Sequence, residues 1–157
     1  LNEETFPDFV ALRQLILDNH AAAFGETSDL LIGLQLTHSG RFCKPHSHKQ
    51  FESKILYAHP FLNQRFGMEA DYPTLTDEEI DRIIEHYVEA AVLARKAGFD
   101  FVDIKHCHGY LGHEFLSAVE RPGKYGGSFE NRTRYLRSIV AGIRQAAPGL
   151  EIAIRLS

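Results

Sequence analysis

The feature that most constrains this chain is an alternation in which helix-period segments are each followed by a short, nearly continuous apolar run. From Phe9 to about Ala23 the apolar residues Phe9, Leu12, Leu15 and Ile16 recur at helical spacing, and Gly25 is placed to end that helix. Leu30, Leu31, Ile32, Leu34 and Leu36 then form a run too short for another helix, which predicts a strand buried on both faces of a parallel sheet. Thr76-Asp77-Glu78-Glu79 is a capping box, with Leu75 and Ile80 as a hydrophobic staple, and it opens a helix expected to run to Gly98. Phe99 to Ile104 reads as a second strand. A further helix from about Phe129 to Ala147 leads into a third strand, Leu150 to Leu156.

Helices and strands in this order are consecutive βα units, so the sheet should be parallel. The expected fold class is α/β: part of a (β/α)8 TIM barrel, with about three central parallel strands and their helices, the barrel being incomplete in this chain. Three strands cannot close a barrel, and a full one takes about 250 residues. The chain also starts without Met and ends on a strand at Ser157. Residues 1–157 are therefore expected to be a fragment of one domain. A complete three-stranded α/β domain is the alternative, at the cost of exposed apolar edges. Between these units, Pro45, Pro60, Gly67 and Pro73 interrupt any period, so residues 42–74 are expected to form a long excursion. A loop of that length is functional or hides a short helix or hairpin. Tyr57 and Phe61 within it are candidates for a cover over a substrate.

Composition excludes several classes. A 44% hydrophobic and 24% charged chain is a globular sequence, and 17 basic against 21 acidic side chains leave a net charge of −4. That balance offers no footprint for nucleic acid. No apolar run approaches the roughly 20 residues that cross a bilayer, and the first ten residues lack a signal-peptide layout, so a cytoplasmic location is expected. Cys43 and Cys107 are too few for a disulfide framework and lack CxxC spacing. His46 and His48 have His-x-His spacing, but loop histidines are common and no metal is expected there.

In parallel α/β folds the chemistry lies at the carboxyl ends of the strands. Polar groups cluster there in this sequence: Gln35 and His38 after the first strand, Lys105, His106, Cys107, His108 and Tyr110 after the second, Arg155 and Ser157 on the third. Any one of these could be a structural hydrogen-bonder. Three successive strand ends with side chains suited to an anionic or polar ligand point to a site.

The segment Lys105-His106-Cys107-His108-Gly109-Tyr110-Leu111, followed by Tyr125-Gly126-Gly127-Ser128-Phe129-Glu130-Asn131-Arg132, resembles the old yellow enzyme family of NAD(P)H:flavin oxidoreductases. There a strand ends in a His-x-x-His or His-x-x-Asn pair, runs into Gly-Tyr-Leu, and is followed by a YGGS-x-ENR segment. Gln35-Leu36-x-His38-x-Gly40-Arg41 is similar to the end of that family's third barrel strand, and Ile154-Arg155-Leu156-Ser157 to the end of its fifth. The resemblance implies an FMN-binding barrel in which FMN is reduced by NADH or NADPH and hydride passes to an electron-poor alkene or related small-molecule acceptor. It implies that Gln35 bonds the flavin pyrimidine ring and that Arg155 is a positive charge beside the same edge, where reduced flavin carries negative charge. It further implies that His108 binds the acceptor's carbonyl oxygen and that Tyr110 is the proton donor.

One departure is Lys105, which stands where the family has its first His. A lysine there either donates to the acceptor's oxygen or turns aside to pair with Asp103 or a neighbouring acid. Cys107, by strand alternation, should point away from His106 and His108 if the strand extends that far, and serve packing. Two other readings stay open: a metal-dependent hydrolase using His106 and His108, which needs further ligands, and a catalytically inert fragment or interaction module.

Overall fold

The computed structural model describes residues 1–157. Its elements are α1 (Phe6–Phe24), β1 (Gly33–Leu36), a 3-10 turn (Gly40–Phe42), α2 (Pro60–Arg65), α3 (Asp77–Lys96), β2 (Phe101–His106), α4 (Leu111–Ser117), α5 (Phe129–Ala146) and β3 (Glu151–Leu156). The strands form one sheet in the order β1-β2-β3. β1 and β2 run parallel, with Gly33 opposite Phe101, Leu34 opposite Val102, Gln35 opposite Asp103 and Leu36 opposite Ile104.

The chain divides into two compact units. One comprises residues 1–36, 85–104 and 139–154, the other residues 37–84, 105–138 and 155–157. In the first unit, Ala91, Ala94, Val102, Ile139, Ile143 and Ala147 are fully buried. Asp100 secures the amino ends of all three strands. Its carboxylate accepts the Ile32 N–H at 2.7 Å, its own N–H donates to the Ile32 carbonyl at 2.9 Å, and its carbonyl accepts from Glu151 at 3.2 Å.

The first strand is shorter than its apolar run. Ladder pairing begins only at Gly33, because the Ile32 N–H is taken by the Asp100 side chain, and Leu31 is 75% exposed. Nor is β1 buried on both faces: of its four residues only Leu36 is buried. Two-sided neighbours belong to the central strand alone, so β2 alternates cleanly, with Val102, Ile104 and His106 buried and Phe101, Asp103 and Lys105 half-buried. The edge strand β3 has no buried residue. Helix α1 ends at Gly25 with φ 86°, as expected, but none of its residues is buried and Leu15 is 59% exposed. Val10, Leu12, Leu15, Ile16 and Phe24 spread around the helix instead of collecting on one face.

In the second unit the excursion contains the short helix α2, capped by the His59 ring, which accepts the Leu62 N–H. It closes on itself where Ile55 bridges Thr74 and the Leu75 N–H donates to the Ile55 carbonyl. Arg41, 1% exposed, anchors it. The guanidinium donates to Glu114 Oε1 at 2.8 Å, Asn63 Oδ1 at 2.7 Å and the Tyr57 carbonyl at 3.1 Å. Glu114 Oε2 accepts the Leu56 N–H in turn. Burial pushes the Glu114 carboxyl up, against the guanidinium and the Leu56 amide, which favour its charged form.

The α3 capping box forms as expected: the Glu79 carboxylate accepts the Thr76 N–H at 2.8 Å, and the Thr76 hydroxyl accepts the Glu79 N–H at 3.2 Å. Leu75 and Ile80 are both buried. No helix is long and apolar enough to cross a membrane.

Candidate functional site

The strand β2 stops at His106, and the next four residues turn sharply. His108 has φ 60° and Gly109 φ 70°. Two consecutive left-handed residues reverse the chain within one turn. Glycine takes this at no steric cost, whereas histidine takes it under strain. The turn is held by three bonds: the Tyr110 N–H to the Cys107 carbonyl, the Gly109 N–H to His113 Nδ1 at 2.9 Å, and the Leu111 N–H to the His38 carbonyl. Helix α4 then starts at Leu111, an element absent from the sequence reading because its seven residues are too few to show a period.

This turn sorts the candidate residues. His108 is exposed, and its N–H donates to Ser157 Oγ at 3.3 Å. Lys105 and Tyr110 come together, with the Lys105 ammonium 3.5 Å from the centre of the Tyr110 ring, a cation–π contact. The phenol ring also packs against Phe42, with centroids 5.3 Å apart. Arg155 lies on β3, two residues before Ser157. Gln35 belongs to the other unit, where its Nε2 donates to Asp103 Oδ2 at 2.7 Å. Asp103 is thus a site-face residue that sequence reasoning treated only as a possible partner for Lys105.

His106 and Cys107 are both buried, so the strand alternation does not extend past His106, where β2 ends, and Cys107 is packed in the interior as expected. The His106 ring is packed against α4: a Cβ on Gly112 would lie 2.5 Å from its Nδ1. Neither ring nitrogen has a hydrogen-bond partner. Burial, with the nearby His113 adding to it, lowers the His106 pKa to about 4. A ring so enclosed cannot join His108 on a metal, and no group of three or more His, Cys, Asp or Glu side chains is placed to hold one. His46 bonds Glu52 at 2.9 Å, and His59 caps α2. In the excursion the Tyr57 hydroxyl pairs with Ser117 Oγ at 2.7 Å, while Phe61 is 79% exposed.

The YGGSFENR segment is scaffolding. The Tyr125 hydroxyl donates to Asp81, and burial together with that carboxylate raises the phenol's pKa. Burial opposes ionisation of Asp81, yet bonds from Lys124 and Tyr125 hold its carboxyl below the usual range. The Gly127 N–H donates to the Ala118 carbonyl, and Arg132 donates to the Gly127 and Leu116 carbonyls. These bonds fix the connection between α4 and α5.

Comparison with known proteins agrees with this layout. Residues 17–157 match the model of the NADH:flavin oxidoreductase / NADH oxidase family. An NADPH dehydrogenase of Bacillus velezensis is 33% identical over 149 residues, covering 89% of this chain and 41% of the relative. The crystal structure of Old Yellow Enzyme from Pichia sp. AKU4542 superposes with TM-score 0.72 and 27% identity, over 99% of this chain and 40% of that one. The old yellow enzyme homologue from Zymomonas mobilis gives TM-score 0.72 and 28% identity, over 99% and 43%. The chain thus spans about two fifths of the length of these relatives. Its three strands and their helices are part of a (β/α)8 barrel.

Proposed function

Because the chain belongs to the NADH:flavin oxidoreductase / NADH oxidase family, we propose that the protein is a flavin-dependent oxidoreductase, with FMN as cofactor, NADH or NADPH as reductant and an electron-poor alkene or related small molecule as acceptor. The observation that carries this reading is the Lys105–Tyr110 pair on the turn after β2. It puts a cation and a phenolic proton at one strand end, which is what polarising and then protonating an acceptor requires.

The donor set suits a flavin. Gln35 offers an amide, able to donate and accept, on the face of β1 turned away from buried Leu36. Arg155 offers a guanidinium that stays charged at any physiological pH and suits the negative charge of a reduced ring. Bound FMN would supply hydride transfer from the nicotinamide to the acceptor.

The chain's own residues do the rest. Lys105 and His108 donate to the acceptor's oxygen and draw electron density from its double bond. Tyr110 delivers the proton from its hydroxyl to the carbon beside the activating group, its ring in contact with the Lys105 ammonium and with Phe42.

The test is the visible absorbance of the complete polypeptide, repeated under anaerobic NADPH or NADH. A flavin spectrum that bleaches is expected. Tyr110→Phe should leave bleaching unchanged and slow acceptor reduction by about 100-fold. A colourless protein that takes up no added FMN removes the flavin reading, and a Tyr110→Phe enzyme of full turnover removes the proton-donor role.

A further inference from the structure

We infer that Asp103 is a positioning residue that fixes which way the Gln35 amide faces, so that Gln35 presents one N–H and its carbonyl oxygen side by side to the imide edge of a bound pyrimidine ring. The inference rests on the flavin reading above.

Gln35 and Asp103 are partners in the parallel ladder of β1 and β2, so their side chains leave the sheet on the same face. The amide nitrogen is 2.7 Å from Asp103 Oδ2. An aspartate carboxylate offers acceptors alone, and of the two ends of a glutamine amide only the nitrogen donates. Turned over, the amide would set Oε1 against the carboxylate, two acceptors at hydrogen-bonding distance. The orientation is therefore dictated by chemistry.

One of the two Nε2 hydrogens is committed to Asp103. The second N–H and Oε1 are left for a ligand. A donor and an acceptor carried on one planar group match an N–H flanked by a carbonyl, the pattern of an imide. Without Asp103 the side chain is free to present the opposite order, which would face a carbonyl with a carbonyl. The carboxylate also holds an exposed glutamine in one rotamer, so less freedom is lost when a ligand arrives.

The experiment measures FMN affinity by fluorescence quenching, and the flavin midpoint potential, in the complete polypeptide as wild type, Asp103→Asn, Asp103→Ala, Gln35→Leu and the Asp103→Ala/Gln35→Leu double variant. Asp103→Ala is expected to weaken FMN binding about tenfold, the worth of one charge-assisted bond. Asp103→Asn, which keeps an acceptor but also offers a donor, should fall between it and wild type, with the melting temperature of the apoprotein unchanged. The double variant should bind no more weakly than Gln35→Leu alone, since the effect of Asp103 on FMN runs through Gln35. If the two losses multiply in the double variant, or Asp103→Ala binds FMN as wild type does, the assignment is overturned while the flavin reading stands. A wild-type protein that takes up no FMN overturns both.

Discussion

His106 is a basic group held where charging it is opposed. Its ring is 1% exposed, neither nitrogen is bonded, and its pKa in the folded chain lies near 4 against an ordinary 6.5. The folded state thus binds fewer protons than the unfolded one between these values, so stability rises with pH across that window. The contribution is fully present above about pH 6.5 and is lost as the pH falls through about 4, a swing of about 3 kcal/mol. Urea titrations of wild type and His106→Phe at pH 7.5 and 4.5 check this. The wild type should lose about 2 to 3 kcal/mol more than the variant over that interval, and parallel profiles would show that His106 charges freely. At this scale the sequence was informative at the end of the second strand, where Lys105, His108 and Tyr110 stand out as part of a polar cluster and take their expected roles from the resemblance. It was silent on Asp103 as the partner of Gln35, because their pairing depends on a strand register 68 positions apart.

Among the elements, α3 was the most legible, since its start is written in four adjacent residues that satisfy one another. Thr76→Ala should remove one of those bonds and cost about 1 kcal/mol, while Thr76→Ser keeps most of it. Thermal melting of the two variants distinguishes them, and equal midpoints would mean the Thr76 hydroxyl adds nothing to the start of α3. The strands were legible as apolar runs but not in their bounds or burial. Leu30 to Ile32 look like strand, yet Asp100 takes the Ile32 amide before the ladder begins. The helix α4 was missed and α2 foreseen only as one alternative for the excursion, because six and seven residues give too few turns for periodicity to register. Both are instead set by neighbours: α2 by the His59 cap, α4 by the turn through His108 and Gly109.

For the molecule as a whole, Arg41 joins stretches far apart in sequence: the excursion at Tyr57 and Asn63, and α4 at Glu114. Removing the guanidinium leaves a buried carboxylate without its counter-charge. Arg41→Ala should therefore destabilise by about 3–5 kcal/mol, and adding Glu114→Gln should restore part of that loss. Chemical denaturation of the single and double variants tests it, and an additive pair of losses would rule out the coupling. Arg41 was visible in the sequence only as part of a resemblance, since nothing local distinguishes a buried arginine from a surface one. The βα rhythm, by contrast, was plain from the alternation of periods, because it repeats along the whole length.

The strict alternation of β2 bears on how such a molecule can diverge. Val102, Ile104 and His106 are committed to the interior, where a changed volume disturbs the whole fold. Phe101, Asp103 and Lys105 project from the opposite side and are half-buried. A substitution at 105 therefore changes the group presented beside Tyr110 while its neighbours one step away keep the chain foldable. Along this strand, positions committed to the interior and positions facing the other side alternate residue by residue.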